Sequence, residues 1–276
     1  MTRAIPLLCA LLSALVAGAG HALDAVADAP VADARVAIVR SDWEGLAAPV
    51  PFDQELDRRQ IEAIMRAAVD ALGGMSAFVG ADDDWVMIKP NIVTLSARGS
   101  GDITDAWVTL AIARLVHEAN PAARITIAEG SAGWISPGHP EALDAAELAD
   151  GFANTGFREL ASDPDLAGVV DFMDLNFEPA VEVVGAATGD RYWLPQAVRD
   201  CDVFISNPVL KTTNVIGYTG AMKNLVGVMP GMKYGWSKVD GFPPFSGNPG
   251  LPNHRAGRFA EMIVDLTSFA GVALAI

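Results

Sequence analysis

Five lysines serve a chain of 276 residues, at positions 89, 211, 223, 233 and 238, and four of them fall within 28 consecutive residues. From Val203 to Arg258 those four and two arginines face Asp240 alone, a local charge of +5 in a chain of net −15, so the remainder carries −20. A basic island in an acidic protein focuses a small anion locally. The overall negative charge disfavours nucleic acid and anionic lipid as partners, because a nonspecific polyanion binder needs an excess of positive surface.

Three short motifs carry the chemistry. The first is Lys89-Pro90-Asn91, a cation, a residue without a backbone donor and an amide, directly after an apolar run. The second is Glu129-Gly130-Ser131-Ala132-Gly133, whose glycines permit close approach of backbone to a ligand. It lacks the G-x-G-x-x-G spacing of a dinucleotide loop, and Glu129 would repel a phosphate, so general base, metal ligand and structural acceptor all stay open to that carboxylate. The third runs from Asn207 through Lys211-Thr212-Thr213 to Tyr218-Thr219-Gly220-Ala221-Met222-Lys223-Asn224 and Gly227, then to Lys233. Thr219 reads as the N-cap of a short helix over 220–228, with Lys223 in its first turn. A cation at that end of a helix is disfavoured by roughly 0.3–1 kcal/mol unless an anion shares the site.

These motifs need elements to hold them. Apolar runs of strand type are expected at Arg35–Arg40, Trp85–Lys89, Arg124–Ala128 and Asp202–Ser206, with weaker ones at Val169–Asp174 and Val181–Val184. Helical spacing marks Gln54–Leu72, a stripe from Val108 to Ala119 between the Thr104-Asp105 cap and the Asn120-Pro121 stop, and a late helix around Phe259–Phe269. Alternating strands and helices predict an α/β fold, a mostly parallel, Rossmann-like three-layer sheet covered by helices on both faces. Ligands gather beyond the carboxyl ends of the strands in such sheets, which is where all three motifs begin.

Together, Lys89-Pro90-Asn91, Pro208 to Thr212, Thr219-Gly220-x-x-Lys223-Asn224-x-x-Gly227 and Lys233 resemble the signature blocks of the domain-of-unknown-function family numbered 362, over a span from about Arg35 to the end. Many members of that family carry a ferredoxin-like cysteine cluster and are described as iron–sulfur proteins, which implies redox chemistry by analogy. This chain departs from them at three points. Its cysteines are Cys9 and Cys201, too few to ligate a cluster by themselves. Thr213 stands where similar members have histidine. The ending Gly271–Ile276 reads as a strand cut in mid-fold, which suggests an incomplete C-terminus. His254 follows the glycine–proline loop as in the family.

At the other end, Arg3 precedes an uncharged apolar run from Ala4 to Gly20, and Gly20-His21-Ala22 offers a small-residue cut. The organisation expected is a signal peptide over 1–22, a flexible leader over 23–34 and a single α/β domain over 35–276, periplasmic or secreted, with no stable membrane span once the signal is removed. Cleavage leaves Cys201 alone, so no internal disulfide forms.

Lesser candidates have bland readings beside the functional ones. Asp82-Asp83-Asp84 is a solvated turn or a surface cation site; His139 is a loop residue; His117 lies on a helix; Tyr234, Trp236, Phe242 and Phe245 either make an aromatic lid or pack a long loop onto its own domain.

The reading that results is an exported enzyme holding a small phosphate- or carboxylate-bearing anion. Lys89, Lys211, Lys223 and Lys233 would neutralise it. Asn91, Asn207, Thr219, Gly220 and Asn224 would orient it, and Glu129 and His254 would move protons or hold a hard metal ion. Lys211 is a further catalytic candidate, since crowding of like charges favours the neutral amine. The alternatives are a noncatalytic binding protein and a redox accessory whose cluster lies on a partner. The cofactor is left open.

Overall fold

A computed structural model describes residues 35–130, 150–213, 217–234 and 258–276. His139, His254, Lys238, Trp236, Phe242, Phe245 and residues 1–34, where the signal and the leader are expected, lie outside the described residues. The account below concerns the unit from Ala37 to Ile276.

Five strands form one sheet: β1 (Trp85–Pro90), β2 (Arg124–Glu129), β3 (Val170–Asp174), then, beyond an antiparallel hairpin of β4 (Ala180–Val184) and β5 (Arg191–Pro195), β6 (Val203–Asn207) and β9 (Val272–Ala275). The order is β3-β2-β1-β6-β9 with every pairing parallel. β1 sits in the centre, and from Val86 to Pro90 all of it is buried, as a strand covered on both faces must be. A second hairpin, β7 (Lys211–Thr213) with β8 (Gly217–Thr219), stands apart from the sheet.

Helices cover both faces. On one side lie α1 (Arg58–Asp70) and α2 (Ala106–Ala119), sharing a core with Val86, Ile88, Ile125, Ile127 and Ile205. Between β2 and β3 come the short α3 (Gly151–Asn154) and a 3-10 turn at Phe157–Ser162, packed on that same core. The opposite core gathers Met87, Ala128 and Phe204 with α4 (Gln196–Asp200), α7 (Phe259–Ala270) and the β4–β5 hairpin. Between β8 and α7 lie two one-turn helices, α5 (Ala221–Asn224) and α6 (Gly231–Tyr234). This is the α/β class that the sequence predicts.

Local chemistry explains the boundaries. The helix expected over Gln54–Leu72 starts only at Arg58, because Asp57 accepts from the Gln60 amide while the Gln60 side chain accepts from the Asp57 amide, a reciprocal cap. α2 runs between the residues expected to bound it, with the Asp105 carboxylate accepting from Trp107 N at 2.9 Å. The acidic turn at Asp82–Asp84 is structural: Asp83 accepts from Gly80 N at 2.6 Å, and the Asp84 amide donates to Asp202 at 3.0 Å.

One expected strand is absent, and another forms outside the main sheet. Arg35–Arg40 forms no strand, and its Val36 and Ile38 are exposed; a β-prone run without a neighbour to pair has nothing to bury against. Val181–Val184 belongs to an antiparallel hairpin outside the main sheet, with Val183 opposite Tyr192. The buried Asp265 of α7 holds this hairpin's turn, accepting from Ala187 N at 2.7 Å and from the Thr188 hydroxyl at 2.6 Å.

Candidate functional site

Parallel pairing aligns the strand ends. Lys89 stands opposite Ser206, Pro90 opposite Asn207, and Glu129 opposite Asp174, so residues far apart in sequence share one edge of the sheet.

Lys89 is fully buried, and its ammonium lies 2.8 Å from Glu129 Oε1, also buried. The Lys89 Nζ further donates to Asn224 Oδ1 at 3.2 Å and to Pro90 O at 3.0 Å. Three acceptors require three N–H donors, which only the ammonium has. Burial draws the Lys89 pKa below the ordinary lysine range, and the Glu129 carboxylate opposes that pull. Glu129 is equally committed: Oε1 also accepts from Gly130 N at 2.8 Å, and Oε2 from Ile92 N at 2.9 Å. Of the three roles open to Glu129, the geometry is that of a structural acceptor tying β1, β2 and the loop after β1 together.

Gly227 closes over this pair. A Cβ there would lie 2.4 Å from Glu129 Oε1 and 2.6 Å from Lys89 Nζ, so only glycine admits the ion pair beneath it. Asn224 clamps the same point from α5: its Nδ2 donates to Lys89 O at 2.9 Å and to Ser206 Oγ at 3.2 Å, while the Ser206 hydroxyl donates to Ala221 O at 3.1 Å. α5 is thereby fixed to β1 and β6 on either side of Lys223.

Lys211 and Thr219 face each other across the β7–β8 hairpin. The Lys211 Nζ donates to Asn91 Oδ1 at 3.0 Å and to the carbonyl of Asp102. Its pKa is lowered by desolvation, against the pull of Asp102 and Glu129. Lys223, half-buried, is also lowered, first by desolvation and then by the positive charges of Lys211 and Lys89. The fields of Lys211 and Lys89 at Lys223 place the three lysines in one electrostatic neighbourhood, in which Lys89 is paired with Glu129.

The remaining candidates divide. Asn207 is buried with its side chain used within the fold: Oδ1 accepts from Thr109 Oγ1 of α2 at 2.6 Å, and Nδ2 donates to Ile276 O at 3.0 Å. Thr219 is buried at the end of β8, but it is not an N-cap; Gly220 holds that place in α5 and no side chain caps the turn. The helix expected over 220–228 is one α-turn followed by a 3-10 turn at Leu225–Val228. Four residues make no macrodipole worth the name, so the strain on Lys223 comes first from burial and then from the neighbouring lysines. Lys233 is exposed on α6, outside the contacts described above. Tyr234 is no lid residue: it is buried in the second core, and its hydroxyl accepts from Trp193 N at 2.7 Å.

Reading the sequence did not find Ser206, Thr104 or the Asp102 carbonyl. Thr104 Oγ1 accepts from Asn91 N at 2.9 Å and donates to Asn207 O at 2.7 Å, joining the ends of β1 and β6. The signal for Ser206 was available, since it sits two residues beyond Phe204 on the same strand face, at the register of Lys89.

Among the described residues no group of three His, Cys, Asp or Glu gathers to hold a metal ion. Cys201 is a half-buried thiol whose pKa burial pushes up to about 12, which does not fit the thiolate ligation an iron–sulfur cluster requires. No helix among the described residues is long and apolar enough to cross a membrane.

A family model described as domain of unknown function (DUF362) matches residues 86–276, starting at β1 rather than at Arg35. A thylakoid-associated protein of Synechocystis sp. is 28% identical over 214 residues, an alignment covering 77% of this chain and 56% of that relative. Among solved structures, the lactate racemase apoprotein from Thermoanaerobacterium thermosaccharolyticum aligns with a TM-score of 0.47 at 14% identity, covering 87% of this chain and 54% of that one. The chain spans just over half the length of each.

Proposed function

Since the chain belongs to the DUF362 family, we propose that it is an exported enzyme that takes a small phosphate- or carboxylate-bearing anion between Lys211 and Lys223, beyond the carboxyl ends of β1 and β6. One observation carries this reading: two partly buried lysines flank the ends of β1 and β6, with Lys211 tethered to Asn91 beside β1 and Lys223, within the field of Lys211, on the turn that Asn224 and Ala221 fix to β1 and β6. Like charges so placed repel one another, and an anion between them converts that repulsion into two attractions. Asn91 and Thr219 border the same place. The fully hydrogen-bonded Lys89 and Glu129 build the floor and do not meet the ligand.

Proton transfer then falls to a lysine rather than to Glu129, whose two oxygens serve three donors. The lowered pKa of Lys211 and Lys223 raises the share of neutral amine at a given pH, the form that abstracts a proton or attacks a carbonyl. The commitment of Glu129 also favours the rival reading of a noncatalytic capture protein, since it removes the best-placed carboxylate from chemistry.

Isothermal titration with inorganic phosphate, pyrophosphate and succinate tests the site. One of them is expected to bind, and Lys211→Met and Lys223→Met each to weaken it roughly 10- to 100-fold, the value of a charge-assisted hydrogen bond. Millimolar phosphate, pyrophosphate and succinate all failing to bind would overturn the proposal. Turnover of a bound anion, lost in Lys211→Met or Lys223→Met, separates enzyme from capture protein. Export is proposed on the pattern of Arg3, Ala4–Gly20 and Ala22 alone, and N-terminal sequencing of the protein recovered from its native host checks it: a mature end at Leu23 supports export, an intact Met1 or Thr2 refutes it.

A further inference from the structure

An apolar rim borders the anion site. Leu210 is 79% exposed, Tyr218 66% and Met222 45%, and these three stand among the most exposed large apolar side chains of the described residues. Each adjoins a polar residue already placed at the site, Leu210 next to Lys211, Tyr218 next to Thr219 and Met222 next to Lys223. The cause is local geometry. Along β7 and β8 successive side chains alternate between faces, so a hairpin that aims Lys211 and Thr219 at the sheet ends turns its neighbours outward.

Leu210 and Tyr218 both approach Gly220. Both lie about a van der Waals contact from the empty side of Gly220, with Tyr218 Cε2 at 3.8 Å and Leu210 Cδ1 at 4.0 Å from where a Cβ would stand. The glycine thus leaves open space beside two apolar side chains, with Met222 two residues further along the chain. Single exposed apolar side chains are ordinary on a protein surface; three that each adjoin a residue of one cationic site, two of them beside the same glycine, form a patch with a direction.

We propose that the ligand is an amphiphilic anion, an anionic head held by Lys211 and Lys223 with a single apolar chain lying over Gly220 against Leu210, Tyr218 and Met222. This rests on the anion-site reading above and adds the substrate class. Charge complementarity decides the occupant. A chain of net −15 is repelled by an anionic bilayer, whereas one monomeric amphiphile presents one head group to the local positive focus and no extended negative surface. The apolar rim gives that tail a place out of water that a compact anion would not use.

The experiment compares inorganic phosphate with ethyl, butyl, hexyl and octyl phosphate, all below micellar concentration, by titration calorimetry on the full chain. Burial of a methylene is worth about fourfold in affinity when complete; at a rim partly open to water, octyl phosphate is expected to bind at least about tenfold tighter than ethyl phosphate. Leu210→Ser and Tyr218→Ser, both at exposed positions, are expected to flatten this chain-length dependence while inorganic phosphate binds as before. Equal affinity for ethyl and octyl phosphate overturns the inference and leaves the anion site standing. Failure of every phosphate to bind overturns the inference, and failure of succinate besides defeats the anion site as well. Cosedimentation with phosphatidylglycerol vesicles stronger than with phosphatidylcholine vesicles also overturns it, by making the patch a membrane-facing surface.

Discussion

Gly227→Ala puts a methyl group where the ion pair lies. The new Cβ would stand 2.4 Å from Glu129 Oε1, 2.6 Å from Lys89 Nζ and 2.9 Å from Lys89 Cε, all well inside van der Waals contact. Neither partner has an easy retreat: Lys89 is held by three acceptors and Glu129 by two backbone amides besides. Either the pair separates or the 3-10 turn carrying Gly227 lifts off β1 and takes the Asn224 clamp with it. Disrupting a buried pair costs about 3–5 kcal/mol, and the loss of glycine freedom in the unfolded chain returns about 0.4–1 kcal/mol. The net expectation is a loss of about 2–4 kcal/mol, or about 5–15 °C in Tm for a domain of this size. Urea unfolding followed by circular dichroism measures it, with Gly220→Ala as the control. At Gly220 the backbone is extended and a Cβ meets nothing nearer than 3.8 Å, so the control should stay within about 1 kcal/mol of the parent. If Gly227→Ala unfolds at the same urea concentration as Gly220→Ala, the glycine is not covering a buried ion pair and the account of the floor fails.

Two other predictions follow from the same floor. Lys89→Met strands the Glu129 carboxylate without its cation and should cost about 3–5 kcal/mol at pH 7; adding Glu129→Gln, which removes the stranded charge, should recover at least about 1 kcal/mol in a double-mutant cycle, and additive losses would show that the pair does not act as one unit. Lys223 has a folded pKa below its unfolded value, so the native state loses that proton first as pH rises. Its destabilising effect is complete below the folded pKa and is relieved between that pKa and the ordinary value of 10.5. Lys223→Met should therefore raise Tm at pH 7, with the gain shrinking as pH approaches 10.5, and a gain that stays constant over that window would contradict the lowering of the Lys223 pKa by burial and by Lys211 and Lys89.

The predictable parts of the fold were those whose signals are local. Asp105 and Asn120 bound α2 because an acidic side chain caps the first turn and an asparagine leaves the helix at the other end; β1, β2 and β6 are short apolar runs whose partners are each other. Arg35–Arg40 has the same composition as these strands, and what it lacks is a neighbouring edge, a property of the tertiary arrangement. β4 was legible as a strand but not as half of a hairpin, since β5 shows its alternation of buried Tyr192 and Leu194 with more exposed Arg191 and Trp193 only when the two are paired. In the site, counting lysines found the neighbourhood. It could not tell which lysine the fold consumes, because that depends on Glu129 and on Asn224, the latter 135 residues away from Lys89.

That distinction changes what the lysine cluster means. Three ammoniums free to receive a ligand would suit a highly charged polyphosphate, but the pairing of Lys89 with Glu129 cancels one of them. A ligand that drew Lys89 out would have to replace a carboxylate, an amide oxygen and a carbonyl at once, and would leave Glu129 buried with two backbone amides as its only partners. Buried ion pairs seldom add net stability, so this one is better understood by what it positions. Through Asn224 it fixes the turn that carries Lys223, and through Ile92 it fixes the start of the loop that follows Asn91, to which Lys211 is tethered. One lysine is the scaffold that positions the other two, and the proposed site is that of two cations set in a strongly acidic protein, a charge that suits a head group of one or two negative charges.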